Sequence, residues 1–333
     1  MNLFFEILKN ALINAIPLLY GSTGEIITEK SGNLNLGIPG IMYIGGISGL
    51  SVAFYYNMSV SAVNSAVALI LPFICAILAS AAISFIYCLL TVTLRANQNI
   101  TGLAITTLGI GVGNFFGGEL FKKAGGVGQV QVGDITNVYK RSPFAFIKID
   151  SATSPLLYDL YDIFLSHGFL FYLAIIIAFI ASFIIKKTRV GLNLRSVGEN
   201  SATADAVGIN VTLYKYVSTC IGGAIAGLGG LYFVMNFMAG QWNNNCMSDR
   251  GWLAIALVIF VIWKPNLAII GSIIFGGLCT LFNQLELSRV AQEIVKALPY
   301  FVTIVVLIVT SLSKKRETQP PACLGLNYFR EER

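Results

Sequence analysis

Glu25, Asn33 and Asn35 stand close together in GEIITEKSGNLNLGIPG (24–40), flanked by long apolar runs. A carboxylate and two carboxamides can hydrogen-bond a polar solute. Inside a bilayer such groups are costly unless they pair or line a path. The run SGNLNLGIPG is interrupted by Gly and Pro, so it reads as a broken or distorted helix of the kind that lines transporter cavities. A second polar set, Asn236, Gln241, Trp242 and Asn243, lies at the outer end of the sixth apolar run. Asp249, Arg250 and Trp252 begin the seventh. Asparagine edges and indole faces suit a neutral, hydrogen-bonding, aromatic solute. The plainer reading is interfacial tryptophan and loop polar groups.

Bond-breaking chemistry has little support. There is no GxxxxGK[ST] phosphate loop, so this chain cannot hydrolyse ATP by that route, and no HExxH or GxSxG. His167 is the sole histidine. The six cysteines (Cys75, Cys88, Cys220, Cys246, Cys279, Cys323) show no metal-ligand spacing and read as small packing residues. No metal site is expected.

The elements that must position these residues are membrane helices. Of 333 residues, 56% are apolar and 11% charged, against about 25% charged in soluble domains. Mean hydropathy is +0.75. Runs of the roughly 20 residues needed for a span recur at about 11–28, 34–56, 63–94, 98–118, 163–185, 214–238, 266–285 and 297–312. The 251–263 run has half-helix length, and 63–94 is long enough, with Pro72, to be kinked or divided. The expectation is an all-α polytopic membrane protein of about 8–10 transmembrane helices, because a lipid-exposed backbone must satisfy its own hydrogen bonds. MNLFFEILKN lacks the pattern of a cleavable signal.

Positive charge marks the cytoplasmic side. Lys186, Lys187, Arg189 and Arg195 follow the fifth run, Lys314, Lys315 and Arg316 follow the last, and Arg95 adds a weak cluster. Residues 1–312 then form the transmembrane domain. The 187–213 loop and a 313–333 tail are cytoplasmic, and 119–162 is an extracytoplasmic loop with no strong periodicity. The tail is charged and contains Pro, and is expected to be poorly ordered without a partner. The side of the N-terminus stays open.

Within 187–213, Asn200 or Ser201 can cap a helix, Ala202–Val207 continue it, and Gly208 is a left-handed stop. So short a helix is marginal alone and must pack on something. Ala202, Ala204 and Ala206 permit close approach, and Glu199 and Asp205 offer fixed charges. It is either a surface helix lying on the bundle or a docking element.

TRVGLNLRSVGENSATADAVGINVTLYKY resembles the coupling loop of ATP-binding-cassette importer permeases, in the family that includes ribose, branched-chain amino acid and nucleoside permeases. The family pattern GL-x-LRAVGEN-x-x-AA-x-x-x-GI is met by Gly191, Leu192, Leu194, Arg195, Val197, Gly198, Glu199, Asn200, Ala204, Gly208 and Ile209. Ser196 and Thr203 depart from it and are also small. Residues 24–42, DRGWLAIALVIFVIWKP (249–265) and PPACLGLNYFREE (320–332) resemble segments of the nucleoside-type branch in the same order. Pro39 stands where that branch has an acidic residue.

The resemblance implies a transport subunit, not an enzyme, with a fold like the cobalamin-type permeases. It implies ATPase subunits that hydrolyse ATP, a second permease chain (homo- or heterodimeric), and an extracytoplasmic substrate-binding lipoprotein. No cofactor is bound directly and no nucleic-acid partner is expected. Placement would be multi-pass in a bacterial inner membrane with a cytoplasmic C-terminus. It assigns ATPase coupling to Gly198, Glu199, Asn200, Ala204, Asp205, Gly208 and Ile209. The residues proposed for the substrate path are Glu25, Asn33, Asn35, Asn236, Trp242, Asn243, Asp249 and Trp252. Alternatives are a sugar or branched-chain amino acid cargo, or a stand-alone carrier, which would need inward-facing ion-coupling carboxylates and has Glu25 alone as a candidate. Glycine spacings Gly45–Gly49, Gly109–Gly113–Gly117 and Gly223–Gly227 read as packing ridges.

Overall fold

The computed structural model describes residues 3–60, 62–125, 132–146, 155–284, 289–312 and 319–329; the expected tail residues Lys314, Lys315 and Arg316 lie outside them. Helix α1 spans Leu3–Glu29 and α2 spans Ile38–Ser59. Helix α3 spans Ser65–Cys88 and runs on in π turns through Leu89–Thr93. Helix α4 spans Gln98–Lys123, α5 Gly133–Lys140, α6 Pro155–Phe164 and α7 Phe169–Lys187. Helices α8 (Arg189–Glu199) and α9 (Ser201–Ala206) form the connection to α10 (Val211–Tyr232), which is extended by π turns at Phe233–Phe237. Helices α11 (Ser248–Phe260), α12 (Pro265–Gln284) and α13 (Arg289–Leu312) complete the described chain, which holds no strand.

Eight of these helices (α1–α4, α7, α10, α12 and α13) have 19 residues or more. A 19-residue helix rises about 28 Å, close to the hydrocarbon thickness of a bilayer. Among the described residues, five are also uniformly apolar enough to cross a membrane by composition: α2, α3, α4, α7 and α10. Helix α1 sits among α10, α12 and α11, and the 63–94 run is one continuous helix rather than two. Pro72 is tolerated within it, buried against the neighbouring helices, as proline is in membrane helices whose surroundings re-satisfy the freed backbone groups.

Glycine lets the central helices touch backbone to backbone. A Cβ on Gly45 of α2 would lie 2.4 Å from the Gly227 carbonyl of α10, and one on Gly109 of α4 would lie 2.3 Å from the Gly40 carbonyl. Close approach of this kind supplies the dispersion contacts that hold helices together where hydrophobic burial gives no drive.

Helix α1 starts beside α6, where Lys9 pairs with Asp162 at 2.6 Å, and ends beside α8, where Gly198 packs on the Lys30 carbonyl. Its first turns therefore lie at the end of the bundle opposite to α8. Helices α5 and α6 cap that opposite end, with the Tyr139 hydroxyl donating to the Leu69 carbonyl at 2.7 Å. The stretch expected to lack periodicity thus carries two short amphipathic helices. After α10 the chain turns back through 238–247, and α11 begins at the depth of Tyr43, whose hydroxyl accepts from the Met247 N–H at 3.0 Å. Helix α11 has 13 residues, the expected half-helix length. It ends where Ile262 and Trp263 adopt φ of +54° and +52°. These positive values are uncommon for non-glycine residues and cost on the order of 1 kcal/mol or more each.

Candidate functional site

The connection between α1 and α2 is irregular from Ser31 to Gly37 and buried, so its backbone and side-chain polar groups must find partners inside the protein. The Glu25 carboxylate accepts the Asn35 N–H at 3.0 Å, and the Asn35 side-chain oxygen accepts the Gly37 N–H at 2.9 Å. The Asn33 amide donates to Thr219 Oγ1 of α10 at 3.1 Å. The Tyr87 hydroxyl donates to the Leu34 carbonyl at 2.5 Å, and Gln98 Oε1 accepts the Leu34 N–H at 2.7 Å. Glu25, Asn33 and Asn35 are fully buried, and each keeps one polar atom unpartnered: Glu25 Oε2, Asn33 Oδ1 and Asn35 Nδ2. Unpaired buried polar atoms cost about 1–3 kcal/mol each, so the cluster is poised to take further hydrogen bonds. Three of the residues expected on a substrate path are therefore brought together.

Sequence reasoning missed Glu29, one turn beyond Glu25 on the same helix face. It is buried, and its carboxylate accepts the Trp263 Nε1–H. The signal was the i, i+4 spacing of the two glutamates in GEIITE. The bond ties α1 to the strained turn between α11 and α12.

The other path residues lie apart from that cluster. Asn236 donates to the Tyr139 carbonyl at 3.2 Å and leaves Oδ1 buried and unpartnered. Trp242 is not an open indole face: it is 5% exposed, edge-on to Tyr43 at 5.7 Å, and wedged against Gly113 and Gly117. The wedge forms because two glycines one turn apart leave a hollow on α4 that an indole fills. Asn243 and Asp249 are exposed and Trp252 is half-buried. Arg250 lies over the Phe233 and Phe237 rings at 4.3 and 4.6 Å and donates to Asn14 at 3.0 Å.

The segment that resembles a coupling loop is two helices, not one. Asn200 closes α8 and caps α9, its side chain accepting the Thr203 N–H at 3.0 Å. Gly208 has φ of +87°, the left-handed stop expected there. Helix α9 is held to the bundle by a small core of Val197, Ala204 and Val211, with Ile209 and Tyr328 packed on it. Its outer face shows Ala202, Thr203, Ala206 and Val207, the last 72% exposed. Gly198 sits where a Cβ would lie 2.4 Å from the Lys30 carbonyl. Glu199 is exposed at the C-terminal end of α8.

The C-terminal segment is ordered against this site over residues 319–329, contrary to the expected loose tail. The Cys323 N–H donates to the Gly198 carbonyl at 2.9 Å and the Gly325 N–H to the Gly32 carbonyl at 3.1 Å. The Asn327 amide donates to the Arg95 carbonyl at 2.7 Å, and Tyr328 to Asp205 at 2.7 Å. Non-local backbone bonds of this kind leave no trace in composition.

Membrane-length helices, a half-helix that starts inside the bundle and a capped helix pair at one end define an all-α polytopic membrane protein. The chain belongs to the family described as branched-chain amino acid transport system / permease component, whose model matches residues 7–308. It is similar to the nucleoside ABC transporter permease protein NupC of Lactococcus lactis subsp. cremoris (strain MG1363), 28% identical over 98% of this chain and 97% of that protein. It is also similar to the guanosine ABC transporter permease protein NupQ of Bacillus subtilis (strain 168), 30% identical over 90% of each chain. A putative glucose ABC transporter permease protein, TsgC13 of Haloferax volcanii, is 28% identical over 97% of this chain and 98% of its own length. No solved structure matches the chain.

Proposed function

We propose that this chain is the membrane permease subunit of an ATP-driven importer that moves nucleosides into a bacterial cytoplasm. The similarity to NupC over nearly the whole of both chains carries the reading. NupQ points to the same cargo class.

In this reading the α8 end faces the cytoplasm, in keeping with the basic residues Lys186, Lys187, Arg189 and Arg195 there. The C-terminus lies on the same side. An ATPase subunit receives the exposed face of α9, and its closure on ATP pushes α9 and rocks the helices. A second permease chain completes the pathway, and a substrate-binding lipoprotein delivers solute to the α5–α6 end. ATP is used by the partner, and the architecture is of the cobalamin-importer type. The Glu25, Asn33 and Asn35 cluster supplies hydrogen bonds along the path. Motion of α9 reaches it through the packing of Gly198 on the α1–α2 connection.

The test is uptake of radiolabelled nucleosides by cells with and without this chain, competed with unlabelled guanosine, uridine, glucose and leucine. Nucleoside uptake lost with the chain and blocked by unlabelled nucleosides supports the reading. Uptake blocked by glucose alone favours a sugar cargo, the second reading that TsgC13 supports.

A further inference from the structure

At the α8 end, a cavity of about 330 Å³ is lined by Lys30, Lys186, Arg195 and Lys264, with Glu199 the one carboxylate among its lining residues. Lys186 donates to Asn266 at 2.9 Å, which leaves its charge unneutralised. Burial pushes the Lys30 ammonium below its usual range. Glu199 and Glu29 oppose that shift, while Arg195 and Lys264 add to it. Four cations line this confined space with Glu199, and Glu29 also acts on Lys30, so positive charge remains in excess and an anion would relieve it.

A second feature adjoins it. An apolar groove of about 300 Å³ runs between α7, α8 and α10, lined by Ile27, Ile184, Leu194, Leu213 and Val217. Groove and cavity share Ile185 in their walls. In each of three elements an apolar groove residue gives way to a basic cavity residue a few positions on: Ile27 to Lys30, Ile185 to Lys186, and Leu194 to Arg195. An apolar channel leading to a cationic pocket is complementary to one class of molecule, an acyl chain carrying a phosphate.

We propose that the groove and cavity together hold one anionic phospholipid, with its phosphate among Lys30, Arg195 and Lys264 and an acyl chain along the groove past Ile185. Basic pockets between membrane helices recognise anionic headgroups through this pairing of charge and depth. The bound lipid would brace α8 against the end of α1, the junction where Gly198 packs on Lys30.

The test is native mass spectrometry of the full chain in detergent. It is offered phosphatidylglycerol and phosphatidylcholine with the same acyl chains, and separately inorganic phosphate. The wild-type chain is expected to retain phosphatidylglycerol over phosphatidylcholine by about fivefold or more, the selectivity expected from one or two cations near a headgroup. Lys30→Gln/Lys264→Gln should bring that ratio close to one. Val217→Trp, which fills the groove, should lower retention of both lipids. If the double variant elutes as aggregate, Lys264→Gln alone is read, with a drop of about twofold or more expected. Equal retention of the two lipids by the wild-type chain overturns the proposal, as does selectivity unchanged by the charge substitutions. Binding of inorganic phosphate without lipid selectivity identifies a free-anion site and overturns the lipid assignment.

Discussion

The Tyr328 hydroxyl donates to the Asp205 carboxylate at 2.7 Å, tying the C-terminal segment to α9. The same segment bonds the Gly198 and Gly32 carbonyls through its backbone and the Arg95 carbonyl through Asn327. It is a strap that joins α8 and α9 to the α1–α2 connection and the turn before α4. Tyr328→Phe removes one hydrogen bond to a carboxylate, a cost of about 1 kcal/mol. Proteolytic cleavage within 319–329 should rise about fivefold, at unchanged expression. A cleavage rate equal to that of the wild-type chain would show that the bond contributes nothing to the strap.

Gly208 holds φ of +87° at the end of α9. A β-branched residue there is strained by about 1–2 kcal/mol. Gly208→Val should therefore distort the short helix, cut transport and transport-linked ATP hydrolysis severalfold, and leave membrane insertion intact. Uptake at the wild-type rate would contradict the role given to α9. Glu199→Arg tests the adjoining end of α8 by charge reversal and should weaken coupling in the same assay.

Glu25 accepts the Asn35 N–H from inside the bundle. Glu25→Gln keeps an acceptor oxygen and should preserve the fold while lowering transport. Glu25→Leu strands that N–H and should lower stability by about 1–3 kcal/mol. Thermal unfolding of the two variants in detergent separates the outcomes. Equal melting temperatures would mean that the bond is not holding the α1–α2 connection.

A Cβ on Gly117 would fall on the Trp242 indole, which lies closer to that position than atoms can pack. Gly117→Ala should push the indole out of its hollow and destabilise the 238–247 turn by about 1–3 kcal/mol, the usual cost of overpacking. Trp242 fluorescence should shift to the red as the ring gains water. An unshifted spectrum in a background where Trp252 and Trp263 are replaced by Phe would contradict the wedge.

How legible these features were depends on how local their causes are. Asn200 as a cap and Gly208 as a stop could be read directly, since each rests on one residue's own chemistry. The apolar runs gave the helices for the same reason. Helix α8 was missed because RVGLNLRSVGE carries two glycines in its short length, and glycine lowers helix propensity. Its Leu194 and Val197 are buried only by docking on the bundle. The strap was missed because its bonds join residues more than a hundred positions apart. Pro72 suggested a break, yet the helix runs on through it with the proline buried in the bundle, and Trp242 suggested an exposed indole where α4 offers a glycine hollow. The pairing of Glu29 with Trp263 depends on a turn whose positive φ values no residue type there announces.

The most direct test of the central claim is a cross-link at α9. Ala206→Cys sits on the exposed face of that helix. The affinity-tagged variant, in its native membrane, would be treated with a short thiol-to-amine cross-linker and the adduct identified by mass spectrometry. The account predicts a stoichiometric adduct with an ATPase subunit, a yield that changes when ATP is trapped, and a second permease in the same purified complex. Recovery of this chain alone, with ATP-independent uptake after reconstitution, would contradict it and leave α9 a well-capped surface helix on a self-sufficient carrier.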